Sequence, residues 1–301
     1  MKQPQNNYRV GVPAALGAFT LWGLAPIYFK WVNAVPAMEV IAHRILWAIP
    51  LLAGFLWLRD GHHFWKRLVL PARSMLTLVL SGCLIAGNWW LFVWAVNSNA
   101  ILATSLGYFI NPLVNVLLGF IFLHERLTPI QLVAVTLAAA GTVYMAWYLG
   151  VTPWISLLLA VSFGFYGLVR KKLDVGPMIG LLWETLLLAT PAVIYMLWVN
   201  AHAMLAFGHQ NLRLDLLLAL AGLVTIIPLI WFNIAARSLP LSVVGFFQYL
   251  APTITFLLAV LVYGEPFTRG HAVAFVCIWI ALAMVSAESL ARFRRSGHAA
   301  S

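Results

Sequence analysis

The stretch ILATSLGYFINPLVNVLLGFIFLHERLT (101–128) returns 140 residues later as LSVVGFFQYLAPTITFLLAVLVYGEPFT (241–268). Pro112, Leu117, Leu118, Glu125 and Thr128 coincide with Pro252, Leu257, Leu258, Glu265 and Thr268, and upstream Ala95 and Ser98 coincide with Ala235 and Ser238. Leucine matches in apolar sequence carry little weight. A proline inside an apolar run, followed at unchanged spacing by a glutamate and a threonine at its end, carries more. Both copies lie in a hydrophobic chain, so the reading is an internally duplicated membrane protein. That is the usual build of a secondary transporter.

Composition agrees. Of 301 residues 63% are hydrophobic and 9% charged, with mean hydropathy +0.94. A soluble domain carries roughly 25% charged residues, so most of this chain cannot face water. Asp60, Asp174 and Asp215 fall in or beside loops. The net charge of +10 does not indicate nucleic acid, because the basic residues flank apolar segments on alternate loops and no stretch can fold as a nucleic-acid module. Cys83 and Cys277 lie inside apolar segments and read as small buried packing residues, with no metal or disulfide role expected. The first apolar segment ends in Tyr28-Phe29-Lys30 without a small-residue cleavage site, and reads as a retained span.

A span needs about 20 apolar residues. Ten are expected, over 10–30, 38–58, 75–96, 101–123, 129–148, 153–169, 178–199, 214–235, 241–262 and 269–288. The N-terminus, the loops after even-numbered spans and the C-terminus hold 14 Lys and Arg; the opposite side holds only Lys30, Arg213 and Arg269. This asymmetry places both termini in the cytoplasm. Five spans separate each repeat from its copy, and an odd number inverts the second copy. The expected fold is therefore all-α, ten transmembrane helices as a five-plus-five inverted repeat, with halves 1–150 and 151–301. Weaker matches extend the duplication: Trp22-Gly23 resembles Tyr166-Gly167, and His43 and Pro50 align with Glu184 and Pro191 at an offset of 141.

Tyr108, Asn111 and Asn115 follow one helical face at i, i+3, i+7, beside Pro112. Gln248 and Thr255 fall on Tyr108 and Asn115 at the repeat offset. Two readings fit: a central polar cavity lined by both halves, which the symmetry favours, or polar glue between helices. Asn88, flanked by Trp89 and Trp90, fits either reading, and Trp22 and Tyr166 are candidate aromatic walls. Ionisable groups inside spans point to function. Glu39 and His43 are spaced to meet at i, i+4. Arg44 lies about 10 Å into its helix at 1.5 Å per residue; it binds an anionic group, snorkels, or pairs with Glu39 or Glu184. Glu184 is a candidate proton carrier or a salt-bridge partner. Glu125 and Glu265 read as helix-end groups with a gating or symmetry role.

GNWWLFVWAV (87–96), SLGYFINPLVN (105–115), FGFYGLVRKK (163–172), GFFQYLAP (245–252) and WGLAPIYFK (22–30) closely resemble the RarD group of the EamA-type transporters, in the drug/metabolite transporter superfamily. The resemblance covers nearly the whole chain. One departure is His124, where the group has Gly before the repeat glutamate. The resemblance implies a multi-pass bacterial inner-membrane permease that moves a small metabolite or drug-like molecule by alternating access. The group's name marks a link to chloramphenicol sensitivity, and its substrates are poorly defined. Neither G-x-x-x-x-G-K-[ST], H-E-x-x-H nor G-x-S-x-G occurs, so no ATPase or enzyme is expected, and no cofactor. The partners expected are a small-molecule substrate and lipid. The competing class is a membrane receptor or structural subunit without transport. Ala134, Ala138 and Gly141 allow close helix packing, inside one chain or between two, leaving monomer and homodimer open.

Overall fold

The computed structural model describes residues 8–123, 127–150, 153–171, 173–239 and 247–298. The described elements are helical: α1 (Tyr8–Trp31), α2 (Ala37–Asp60), a 3-10 turn (Gly61–His63) leading into α3 (Phe64–Arg67), α4 (Ala72–Asn97), α5 (Ile101–Leu123), α6 (Pro129–Leu149), α7 (Trp154–Lys171), α8 (Pro177–Ala201), α9 (Leu212–Ser238), α10 (Leu250–Leu257) and α11 (Arg269–His298). One π turn, Leu258–Val262, continues α10. Among the described residues seven helices (α1, α2, α4, α5, α6, α8 and α9) are long and apolar enough to cross a membrane. The three other expected spans overlap shorter apolar helices, Trp154–Arg170, Leu250–Val262 and Arg269–Val285; the first part of the expected span 241–262, residues 241–246, lies outside the described residues. Leu76, Val143, Trp147, Leu197 and Leu261 point outward and are exposed. Such residues suit a hydrocarbon surround, where a helix satisfies its own backbone polar groups.

The helices pack in a definite set of pairs. α6 lies along α11 and α2 along α8; α1 packs on α9 and α10, while α7 packs on α4 and α5; α5 also crosses α10. Glycines set the closest approaches. A Cβ on Gly222 of α9 would meet the backbone of Trp47 in α2 at 2.7 Å, and one on Gly23 of α1 would meet Ile254 of α10 at 2.7 Å. Gly141 of α6 receives Cys277 of α11, whose Cβ would lie 2.6 Å from an added Cβ. Ala134 and Ala138 are buried in the same packed cluster, so this small-residue stripe serves packing inside the chain. Cys277 is partly buried there, but Cys83 is exposed, contrary to the expectation that both are buried: its position on α4 faces outward.

The repeated threonine starts the following helix. Thr128 is the N-cap of α6: its side chain accepts from the Gln131 backbone N–H, while Gln131 Oε1 accepts from the Thr128 N–H. Thr268 and His271 make the matching local contacts before α11, with the His271 Nδ1 2.9 Å from the Thr268 hydroxyl and accepting from its backbone N–H at 3.3 Å. The Thr128 cap is worth about 0.5–2 kcal/mol; the Thr268 hydroxyl meets the His271 ring instead of a backbone N–H.

Candidate functional site

The charged and polar groups of the interior fall into three layers. At one end of the bundle Lys30, closing α1, donates to Asn99 Oδ1 at 2.6 Å and lies 5.5 Å from the Tyr263 ring. Asn99 adopts a left-handed conformation at φ 57° as α4 turns into α5. Beside them Glu265 accepts from the backbone N–H groups of Ile101 and Leu102, both at 2.7 Å. These are unsatisfied donors of the first turn of α5, and a carboxylate there also meets the positive end of the helix dipole. The π turn precedes Glu265 and is where the chain leaves regular α geometry. Burial pushes the Glu265 carboxyl up from its ordinary range, against the two backbone donors and Lys30. Glu39 does similar work: its Oε1 accepts from the N–H groups of Ala206 and Phe207 at 3.0 and 3.2 Å. Its other oxygen is buried without a partner. Glu39 and His43 make no hydrogen bond to each other; the His43 ring instead packs on Phe207 at 4.8 Å. Glu125, the repeat mate of Glu265, lies outside the described residues.

The middle layer centres on Arg44. Its Nε donates to Thr225 Oγ1 of α9 at 2.7 Å, and its guanidinium carbon lies 4.0 Å from the Trp89 ring of α4. Arg44 pairs with neither Glu39 nor Glu184, the two partners the sequence offered. Nearby, Asn88 uses its amide nitrogen to bind Leu159 O and Ser162 Oγ of α7 at 3.0 and 2.9 Å, while its Oδ1 is buried and unpartnered.

The third layer is built on Glu184. Ser81 of α4 donates to Oε1 at 2.6 Å, the Tyr166 hydroxyl of α7 donates to Oε2 at 3.3 Å, and Arg170 Nη1 lies 3.7 Å from Oε1. Three helices thus converge on one carboxylate. Arg170 gets there by lying across Gly180, one turn before Glu184, where any side chain would block it. Arg170 belongs to a basic run with Lys171 and Lys172, which in sequence is indistinguishable from a topology signal. The spacing Gly180-x-x-x-Glu184 is the available hint. Ser81 carries no signal at all.

The members of the two polar stripes have different settings. Thr255 is buried and donates to Gly23 O of α1 at 3.2 Å, so it serves the α1–α10 crossing. Asn115 is exposed, and its Oδ1 would lie 3.4 Å from a Cβ on Gly164 of α7. Tyr108 packs between Phe92 and Phe163, at ring distances of 5.7 and 6.4 Å. Asn111 is buried with its Oδ1 unpartnered. Gln248 is half-buried. Trp22 packs with Phe19 and Phe232 at 5.4 and 5.7 Å. The structure brings Tyr166 together with Glu184, and ties Asn88 and Thr255 to helix crossings.

A helical bundle with buried charge at three depths and an outward apolar surface is a multi-pass membrane protein of the transporter type. The EamA-like transporter family matches the chain twice, over residues 9–147 and 152–287, and the chain belongs to that family. Within it the chain is similar to "Protein RarD" of Salmonella typhi, 47% identical over 94% of this chain and 96% of the relative. It is 44% identical to an "Uncharacterized transporter" of Vibrio cholerae over 100% of this chain and 98% of that one. A "Chloramphenicol-sensitive protein RarD" of Pseudomonas aeruginosa is 31% identical over 95% of this chain and 96% of that one. A solved crystal structure superposes with TM-score 0.62 at 17% identity, over 91% of this chain and 96% of the other, a likeness of fold. The chain is thus an inner-membrane transporter of the drug/metabolite superfamily, acting on a small molecule in a lipid surround.

Proposed function

We propose that the chain is a secondary permease that moves a small metabolite or drug-like molecule by alternating access between two inverted five-helix halves, 1–150 and 151–301. All ten apolar helices cross, with both termini and the C-terminal tail in the cytoplasm. The observation that carries this reading is the way the helix contacts permute when the halves are exchanged. Under that exchange α1·α9 becomes α7·α4, α5·α7 becomes α10·α1, and α2·α9 becomes α8·α4, all of them packed pairs; α6·α11, α2·α8 and α5·α10 map onto themselves. The glycine contacts follow. Gly23 against Ile254 corresponds to Gly164 against Val114, and Gly222 against α2 corresponds to Gly82 against α8. These pairs favour an offset of 141 for α1 and α7, the offset of His43 and Glu184, over the 144 that aligns Trp22 with Tyr166. The family match to each half supports the same division. Halves related in this way can exchange conformations, one taking the other's shape.

In this reading Glu184 is the coupling group. Neutralising it by a proton removes its attraction to Arg170 and frees α4, α7 and α8 to separate at that point. Glu39 and Glu265 clamp the opposite end. Asn111, Tyr108, Asn115 and Gln248 lie nearest the substrate path. Energy comes from an ion or solute gradient. The test is flux in sealed proteoliposomes loaded with pooled metabolites and antibiotics, chloramphenicol included, under an imposed pH gradient and read by mass spectrometry. Wild type exchanges at least one species. Glu184→Gln inserts and folds but loses the response to the gradient, and Asn111→Ala slows flux. A gradient response retained by Glu184→Gln removes that residue from coupling. Absence of any flux from inserted, folded protein favours a receptor.

A further inference from the structure

Arg44 presents a charge that no acidic side chain among the described residues neutralises. The ion pairs of the described residues include those of Arg59 and Arg67 with Asp60 and of Arg170 with Glu184, and Arg44 joins none of them. Tyr28 and Tyr108 lie within electrostatic reach of it. The Tyr28 hydroxyl is committed to Leu217 O at 2.9 Å. A charged residue near the centre of a bilayer costs about 2.5–3.5 kcal/mol even by the lenient measure of insertion. One stacked ring and one hydroxyl offset part of this.

The way Arg44 is held decides what can complete it. Trp89 covers one face of the planar guanidinium and Thr225 takes the Nε hydrogen. Among the described residues the two terminal nitrogens make no hydrogen bond, and neither is sealed away from all contact with solvent. They are reachable, and they form the end-on edge that matches the two oxygens of a carboxylate. Tyr108, with Phe92 and Phe163 behind it, supplies aromatic surface in the same region.

We propose that Arg44 is the anion-binding subsite of the transport path, and that the transported molecules carry a carboxylate, or an oxyanion of similar shape, on an apolar body. This rests on the transporter reading and names its substrate class. The bound anion neutralises Arg44, and its apolar part lies against Trp89 and Tyr108. Thr225 and Trp89 are positioning residues, because they fix the guanidinium plane.

Two measurements test this. The first compares phenylacetate with phenylacetamide, which has the same skeleton without the charge, in stabilising the purified protein against heat. Phenylacetate raises the unfolding temperature of wild type and the amide does not. Arg44→Gln loses phenylacetate binding about a hundredfold or more, the scale for removing one partner of a buried charge pair. Arg44→Lys, which keeps the charge and guards against a folding failure, loses about tenfold because the bidentate edge is gone. The second sorts the species exchanged by proteoliposomes according to charge. Anions exchange in wild type and fail to exchange in Arg44→Gln. Exchange of cations or neutral molecules only, or anion exchange unchanged in Arg44→Gln, overturns the proposal and leaves transport standing. Phenylacetate binding that depends on Arg44, with no flux of any species, keeps the anion site and overturns transport. Equal binding of acid and amide overturns the anion site whatever the flux.

Discussion

Glu184 shows how much one residue's setting depends on groups far from it in sequence. Its two oxygens are bonded unequally, by Ser81 at 2.6 Å and by Tyr166 at 3.3 Å. A hydrogen bond to a charged acceptor is worth about 1.5–3 kcal/mol when short and well formed, and a long one contributes less. Ser81→Ala therefore lowers stability by about 2 kcal/mol, and Tyr166→Phe by less than half of that. Denaturation of the two variants in detergent, read by tryptophan fluorescence, checks the order. A Tyr166→Phe loss equal to or above that of Ser81→Ala would mean that Arg170 and the tyrosine, not the serine, hold the carboxylate. Of these partners the sequence singled out Tyr166, as an aromatic wall, but neither Ser81 nor Arg170. Ser81 is one small polar residue in an apolar run, and Arg170 sits in a basic loop of the kind every polytopic protein carries. Arg44 was legible as a buried charge, but both carboxylates offered as its partners are engaged elsewhere.

At the scale of the element, the sequence is far more informative. The apolar runs and their proline and glycine borders place eight of the helices to within a few residues, because a helix in lipid must be apolar along its whole crossing; the last helix runs on to His298, past the expected 288, and the start of the ninth expected span lies outside the described residues. What hydropathy cannot give is which faces meet. That is set by small residues, and here the two halves differ. Gly82 and Gly222 stand at the same repeat offset, on α4 and α9. A Cβ on Gly82 would rest 3.7 Å from the Glu184 backbone, ordinary contact, whereas one on Gly222 would come within 2.7 Å of the Trp47 backbone. The two alanine variants should consequently part. Gly82→Ala is neutral or gains up to about 1 kcal/mol from helix propensity. Gly222→Ala forces α2 and α9 apart and costs about 1–3 kcal/mol. Thermal unfolding of both proteins in the same detergent decides it, and equal losses would mean that the α2–α9 approach is no closer than the α4–α8 one. The π turn at Leu258–Val262 marks a second difference, since the matching stretch of α5 is regular. No hydropathy pattern announces it.

Across the whole molecule, the distribution of positive charge and the shortness of three helices make opposing suggestions. Charge counting requires ten crossings with both termini inside, whereas length alone certifies seven helices. The packing supports the proposed ten. Glu265 reaches the start of α5 and Lys30 reaches Asn99 and Tyr263, so the loop after α10 lies at the same end of the bundle as the turns after α1 and α4. Glu39 joins the 206–207 backbone to that end as well. Single cysteines placed in a Cys83→Ser, Cys277→Ser background report the arrangement. His209, Pro266, Lys66 and Asp174 are exposed loop or loop-border positions. A membrane-impermeant maleimide applied to intact spheroplasts is expected to label His209→Cys and Pro266→Cys. Lys66→Cys and Asp174→Cys should react only after permeabilisation. Because α9 is long and apolar enough to cross, labelling at 209 and 266 together requires α10 to cross back, so the short α10 spans with its π turn. Protection at 174 with labelling at 209 requires α8 to cross and, given the turn after α6 on the outer side, α7 with it. Labelling of 66 and 174 from outside would reverse the orientation and put the basic loops on the wrong side of the membrane. Labelling of 209 without 266 would leave α10 as a re-entrant segment, and the exchange of equivalent halves would no longer describe how the protein opens.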